Sequence, residues 1–161
     1  MIIQNGKLEG NKHPHFCKYN LKLMKYITSR KELFAEPIKM ESFDWFHLWQ
    51  KRFWPYHELH EGDVVYWFDS KIQKIVWKTE VLKIKCYHYS DKQDIRDQYP
   101  KNNMSDEYFD DRSEKGYFFG YDVKVLEKLN LDRPFGLKLL RNGWLGIDNE
   151  KASIWFGDNS K

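Results

Sequence analysis

The stretch from Glu61 to Cys86 constrains the fold more than any other part of the sequence. Two runs rich in Val, Ile, Tyr, Trp and Phe flank a short polar segment, Asp69-Ser70-Lys71, which is the pattern of a long β-hairpin. Because side chains alternate along a strand, the first run has apolar residues on both of its faces. One face carries Val64, Tyr66 and Phe68, and the other carries Val65, Trp67 and Asp69.

The second run of this hairpin predicts a β-bulge. Ile75, Trp77, Thr79 and Val81 share one face, after which the apolar positions change phase to Leu82, Ile84 and Cys86. A change of phase inside one strand indicates an extra residue, and such bulges are common where sheets bend into barrels. Strands with two apolar faces must also be covered on both sides. The expected fold class is therefore α+β: a curved, mostly antiparallel and closed or nearly closed β-barrel with a few short flanking helices.

The length of 161 residues predicts a single domain over residues 1–161. Residues 1–20 are polar and lack a sustained period, so they are expected to form a loose lead-in. A strand is predicted at Leu21–Ile27. A further strand, Gly116–Leu126, should pair with the central hairpin, with Tyr117, Phe119, Tyr121, Val123 and Val125 on one face.

Three helical segments are predicted around these strands. Residues 41–53, ESFDWFHLWQKRF, have a helical period and a plausible N-cap at Ser42. This helix has too many rings to bury all of them, so some of its tryptophans should line a cleft or a barrel mouth, the alternative being that all are core. A short surface helix is predicted at Asp91–Tyr99 and a last helical turn at Asp148–Phe156, with an acidic loop at 106–114 between them.

No set of residues has convincing spacing for a metal ion or for catalysis. His13, His15 and Cys17 lack the second pair of ligands that a structural zinc site needs. The clustered acids Asp106, Glu107, Asp110 and Asp111 could bind a divalent cation, but a solvated loop fits them better. Phosphate-cradling glycine loops, nucleophile elbows and metalloprotease helices are absent from the sequence. We therefore expect no metal, no cofactor and no catalytic residue.

Composition and net charge narrow the cellular compartment and the kinds of partner that the sequence predicts. The net charge of +3, from 27 basic and 24 acidic residues, is too weak to indicate an electrostatic stripe. Two cysteines and no basic-plus-apolar leader favour a reduced, cytoplasmic setting, and no apolar run approaches the ~20 residues of a membrane span. Aromatic residues make up 17% of the chain, so some rings should lie at the surface or in a pocket.

The order of elements resembles that of the PUA-like superfamily of small β-barrels, and within it the EVE and ASCH domains. The resemblance rests on Gly62-Asp63 before the strand VVYWFDS, on the return strand beginning IVW, and on GYFFGYDVKVLEKL after a polar excursion. It covers roughly residues 44–129. Members of that superfamily bind RNA or DNA, and the EVE and YTH-type domains hold a flipped or modified base in an aromatic pocket.

The resemblance implies a corresponding pocket in this chain. Its walls would be Trp45, Trp49, Trp67 and Trp77. Asp69 and Ser70 would read the hydrogen-bonding edge of the base, and Arg52 and Lys71 would contact flanking phosphates. Aromatic faces stack on any base, at about 1–3 kcal/mol per base, so such walls have a physical rationale.

The sequence thus favours a nucleic-acid-binding module that recognises a modified or flipped base and has no catalytic activity of its own. Two alternatives stay open. One is a nuclease or nucleotide hydrolase that uses His57, His60 and nearby acids, and the other is a protein-interaction module with an aromatic surface. The sequence leaves open the base, the choice between DNA and RNA, and the oligomeric state.

Overall fold

Six strands and four short helices make up the part of the chain that the computed structural model describes, which is residues 23–51, 54–99, 106–139, 143–147 and 150–156. The strands are β1 Lys25–Arg30, β2 Trp45–Trp49, β3 Val64–Asp69, β4 Lys74–Tyr89, β5 Gly116–Asp132 and β6 Trp144–Gly146. The helices are α1 Pro37–Ser42, α2 Lys92–Gln98, α3 Asp106–Asp110 and α4 Glu150–Phe156. None of these helices is long and apolar enough to cross a membrane.

The strands form one mixed sheet that curls into a half-barrel, in the order β2-β5-β4-β3-β1-β6. Only β1 and β3 pair in parallel, and the other neighbours within this sheet are antiparallel. The expected α+β fold with a curved, mainly antiparallel sheet is confirmed, with β3, β4 and β5 as neighbours. The ladder has two edges, β2 and β6, which makes it a half-barrel and not a closed one.

The predicted hairpin and its bulge are both present. β3 and β4 pair antiparallel and are joined by residues 70–73. The register between β4 and β5 shifts between Val81 and Lys83, which leaves Leu82 out of the ladder with 47% of its surface exposed. The expected change of phase after Val81 is therefore confirmed.

A second bulge in β4 was not predicted. The registers of β4 with both neighbours shift around Val76. As a result Ile75 packs with Phe68, whereas Trp77 packs with Trp67 in a different cluster. The prediction that Ile75 and Trp77 share one face was wrong, because the extra residue between them turns the strand over.

The predicted helix over residues 41–53 was also wrong. Ser42 ends α1, which begins at Pro37, and Trp45–Trp49 form strand β2. All five residues of β2 pair with β5, from Trp45 opposite Tyr121 to Trp49 opposite Tyr117. The segment WFHLW has aromatic residues at both helical and strand spacings, and the long-range pairing with β5 decides between them.

The two faces of the sheet carry separate clusters. The inner cluster lies inside the curl and receives side chains from all six strands, among them Tyr26, Trp45, Val65, Trp67, Trp77, Phe119, Tyr121 and Trp144. On the outer face, one cluster includes Trp155 of α4, and another includes Ile95 of α2 and Phe109 of α3. Helices therefore cover the outside of the sheet, as expected for strands with two apolar faces.

Gly116 holds the start of β5 close to the end of β2. A Cβ atom there would lie 2.5 Å from the backbone oxygen of Trp49 and 3.1 Å from the Tyr89 hydroxyl. We expect Gly116→Ala to lower the free energy of unfolding by about 1–3 kcal/mol, since the two strands must move apart. Gly146→Ala in β6 is the matched control, because a Cβ atom there meets nothing within 4 Å. Urea denaturation of both variants tests this, and equal stabilities would contradict it.

Candidate nucleic-acid interface

Three of the four tryptophans proposed as pocket walls, Trp45, Trp67 and Trp77, belong to the inner cluster, and Trp49 lies apart from them. The rings of Trp45 and Trp67 meet inside the half-barrel, with centroids 4.4 Å apart. Trp77 belongs to the inner cluster but lies beside α1, where its indole N–H donates to the Phe34 carbonyl at 2.8 Å. Trp49 lies at the end of β2 with 47% of its surface exposed. Trp45, Trp67 and Trp77 are therefore brought together, but all three are buried, and Trp67 has no exposed surface.

A single cation, Arg30, lies against this tryptophan pair. Its guanidinium carbon is 5.6 Å from the centroid of the Trp67 ring and 6.0 Å from that of Trp45. Its Nη1 donates to the Thr28 hydroxyl at 2.9 Å and to the Ser29 carbonyl at 2.8 Å, which fixes the plane of the group. Arg30 is half-buried, and no carboxylate in the described ranges lies within salt-bridge distance of it. A guanidinium without a carboxylate partner suits an anion or a carbonyl oxygen as a further partner.

Two buried tyrosines complete the surroundings of this cation. Tyr56 and Tyr121 have ring centroids 6.0 Å apart, and both rings pack against Trp144. Burial raises the pKa of each hydroxyl, and the positive charge of Arg30 opposes part of that rise. The Tyr121 hydroxyl lies near Arg30 but makes no hydrogen bond of good geometry within the described residues. We call the group formed by Arg30, Trp45, Tyr56, Trp67 and Tyr121 the Arg30 site.

His47 lies between the Arg30 site and the far end of β2. Burial lowers its pKa to about 3, and the positive charges of Arg30 and Arg112 add to this effect. Its ring centroid is 6.2 Å from that of Tyr56. At neutral pH the imidazole is therefore uncharged and adds no positive charge beside Arg30.

The proposed edge readers at the end of the hairpin serve the fold. The buried Asp69 carboxylate accepts backbone N–H groups from Leu33 at 3.1 Å and from Lys71 at 2.9 Å. The backbone N–H of Ser70 donates to the Arg30 carbonyl at 2.8 Å. These bonds tie the end of β3 to the end of β1, which positions Arg30. The N–H groups of Leu33 and Lys71 bond to different oxygens of the Asp69 carboxylate.

Of the two residues proposed to contact phosphates, the structure describes only Lys71. Lys71 is exposed, and its Nζ lies 3.0 Å from Glu32 Oε1. An exposed ion pair of this kind is weak, so Lys71 can release Glu32 and bind a phosphate instead. Arg52 lies outside the described residues.

Of the two histidines of the hydrolase alternative, His60 lies near a buried acid, with its Nδ1 3.9 Å from Asp63 Oδ2. His57 and His60 are exposed, and His57 Nε2 lies 3.4 Å from Glu58 Oε1. The nearest buried acid, Asp63, accepts the backbone N–H groups of Met24 at 2.8 Å and His60 at 2.7 Å. No group of three His, Cys, Asp or Glu side chains could hold a metal ion in the part of the chain that is described, which leaves out His13, His15 and Cys17.

Sequence reasoning missed Arg30, Tyr56 and Tyr121. They come from three distant segments, and no local motif links them. Their meeting depends on the parallel pairing of β1 with β3, which places Arg30 opposite Asp69, and on the curl of the sheet. The sequence around Arg30 has no signal that would have singled it out, since the strand KYITS is only partly apolar and Glu32 follows two residues later.

Comparisons with known proteins identify the fold. The sequence matches no protein-family model, and no curated protein matches it. Among solved structures, an ASCH protein from Zymomonas mobilis is similar with a TM-score of 0.53 and 13% identity, over 80% of this chain and 91% of that one. A variant of the same protein is similar with a TM-score of 0.50 and 12% identity, over 81% and 94% of the two chains. The chain therefore has a fold similar to that of these ASCH structures, as its resemblance to ASCH domains predicted.

Proposed function

We propose that this protein binds nucleic acid and holds one base, modified or flipped out of its strand, at the Arg30 site. The observation that carries the proposal is the half-buried guanidinium of Arg30, which lies over two tryptophan rings and has no carboxylate partner within the described ranges. A buried cation is costly unless an opposite charge or several hydrogen bonds compensate it. A nucleic acid supplies both, as phosphate oxygens and as base carbonyls.

The chemistry of the Arg30 site suits a base better than a free metal or a carboxylic acid. A guanidinium is a planar fork of N–H donors that matches two acceptors on a base edge or a phosphate. The rings around it, those of Trp45 and Tyr56 among them, are of the class that stacks on the flat faces of a base, with Trp45 7% and Tyr56 2% exposed. The ASCH fold supports the same class of partner, since nucleic-acid binding is associated with that domain family.

Substitution of Arg30 tests the proposal. Short RNA and DNA oligonucleotides carrying unmodified, methylated or hydroxymethylated bases are titrated against the protein, with tryptophan fluorescence as the readout. We expect at least one oligonucleotide to bind and Arg30→Gln to weaken that binding by about 10- to 100-fold, the value of a charged hydrogen-bonded contact. Arg30→Lys keeps the charge but loses the fork, so it should restore only part of the affinity.

Arg133→Gln is the matched control for the loss of one positive charge. Arg133 is exposed and follows β5, so its replacement changes the net charge equally but leaves the Arg30 site intact. Thermal melts of both variants show whether they are folded. Equal affinity of Arg30→Gln and Arg133→Gln for every oligonucleotide would contradict the proposal, and so would the absence of binding to the unmodified protein.

A further inference from the structure

A cavity lies at the end of β2, away from the Arg30 site. It measures about 430 Å³, and its lining includes Trp49, Gln50, Lys51, Tyr89, Arg112 and Ser113. This volume is within the range of small-molecule sites and is large enough for one nucleotide. We call it the Trp49 cavity.

The walls of the Trp49 cavity are held by hydrogen bonds. The Gln50 side-chain amide donates to the Ser113 hydroxyl at 2.8 Å, and the Tyr89 hydroxyl donates to the Ser113 carbonyl at 3.0 Å. Lys92 Nζ donates to the Arg112 carbonyl at 3.3 Å, which fixes the segment after α3. These hydrogen bonds are made within the protein itself, so the cavity is preformed.

Arg112 brings an unused donor and a positive charge to this cavity. Its Nε–H is buried and has no hydrogen-bond partner among the residues that the structure describes. Its guanidinium carbon lies 4.5 Å from the centroid of the Tyr108 ring, which holds the group in place. No carboxylate in the described ranges is within salt-bridge distance of Arg112, although Asp111 also lines the cavity. With Lys51, the lining has two basic groups and one acidic group, which favours an anion.

Trp49 offers the aromatic face that such a ligand would need. It is 47% exposed, whereas Trp45 on the same face of β2 is only 7% exposed. They are four positions apart in the sequence, so the two side chains are about 13 Å apart along the strand. At about 3.4 Å per stacked nucleotide this distance corresponds to roughly four nucleotides, and to fewer in an extended strand.

We propose that the Trp49 cavity is a second nucleotide subsite, in which Trp49 stacks on a base while Arg112 and Lys51 contact its phosphate. The ligand is then a single strand that runs along the edge strand β2 from the Arg30 site to the Trp49 cavity. A single strand is required because the base faces of a duplex are already stacked on each other. This inference rests on the proposed function, since it extends the same binding surface.

A series of oligonucleotide lengths tests the second subsite. Dinucleotides through hexanucleotides of one sequence are titrated against the unmodified protein and against Trp49→Ala, Trp49→Phe and Arg112→Gln. Affinity of the unmodified protein should rise with length up to about four nucleotides. Trp49→Ala and Arg112→Gln should weaken hexanucleotide binding by at least about tenfold but leave dinucleotide binding unchanged. Trp49→Phe keeps a ring and should keep most of the affinity.

Leu82→Ala is the matched control, because Leu82 is also 47% exposed but lies in the bulge of β4. It should bind every length like the unmodified protein. Hexanucleotide binding that is equal in Trp49→Ala, Arg112→Gln and the unmodified protein would overturn the second subsite, and so would duplex binding as tight as single-strand binding. If Arg30→Gln weakens binding while Trp49→Ala and Arg112→Gln leave hexanucleotide binding unchanged, the proposed function stands and this inference fails. If the unmodified protein binds no oligonucleotide, both fail.

Discussion

Replacing Trp67 by alanine is expected to lower the free energy of unfolding by about 3–5 kcal/mol, the cost of removing a large ring from a packed core. Trp67 has no exposed surface, packs on Trp45 and donates its indole N–H to the Thr79 hydroxyl at 2.8 Å. Domains of this size have only about 5–15 kcal/mol of stability, so this loss is a large part of the total. Urea denaturation at neutral pH measures it.

Trp49→Ala is the matched control for the loss of an indole ring. Because Trp49 is 47% exposed, its replacement should change stability by less than about 1 kcal/mol. Trp67→Phe fills most of the space but leaves the buried Thr79 hydroxyl without its donor, so an intermediate loss is expected. If Trp67→Ala proved as stable as Trp49→Ala, the account of the inner cluster would be incorrect.

Acidification is expected to destabilise the fold through His47. Burial and the nearby guanidinium groups lower its pKa from 6.5 to about 3 in the folded protein. Between these values the unfolded chain binds a proton that the folded protein does not. The contribution of His47 is therefore fully present above pH 6.5 and is lost, by up to about 1.4 kcal/mol per pH unit, as the pH falls towards 3.

His47→Gln cannot be protonated, so it should be less sensitive to acid than the unmodified protein. Between pH 6.5 and pH 4.5 we expect it to lose about 2–3 kcal/mol less stability. His57→Gln is the control, because the His57 side chain is 40% exposed and should leave the pH dependence unchanged. Urea denaturation of the three proteins at several pH values measures the difference. Parallel pH curves for all three proteins would show that His47 is solvated or charged in the fold.

Elements with strong local patterns could be predicted from the sequence. The hairpin of β3 and β4 follows from two runs of alternating side chains, and the bulge at Leu82 follows from a change of phase in one of them. In β5, the five predicted inward residues from Tyr117 to Val125 all pack in or against the inner cluster. Helix α2, Lys92–Gln98, lies within the predicted Asp91–Tyr99. For α4, Glu150–Phe156 is helical, whereas the proposed cap Asp148 lies outside the described residues.

Features that depend on distant partners could not be predicted. The segment WFHLW fits a helix or a strand, and its pairing with β5 makes it β2. The acidic segment predicted as a loop begins with helix α3, whose Phe109 packs on the outer face. Tryptophan content predicted a pocket, but it does not distinguish Trp67 in the core from Trp49 at the surface. The Arg30 site requires the parallel contact of β1 with β3, for which the sequence has no local signal.

The most direct test of the central claim is the NMR signal of the Arg30 Nε–H group during titration with the tightest-binding oligonucleotide. The signal is assigned by its loss in Arg30→Lys. If Arg30 contacts the nucleic acid, its Nε–H signal should shift with the same saturation curve as the fluorescence change, while that of the exposed Arg133 stays in place. Saturable oligonucleotide binding that leaves the Arg30 signal unmoved would contradict the account.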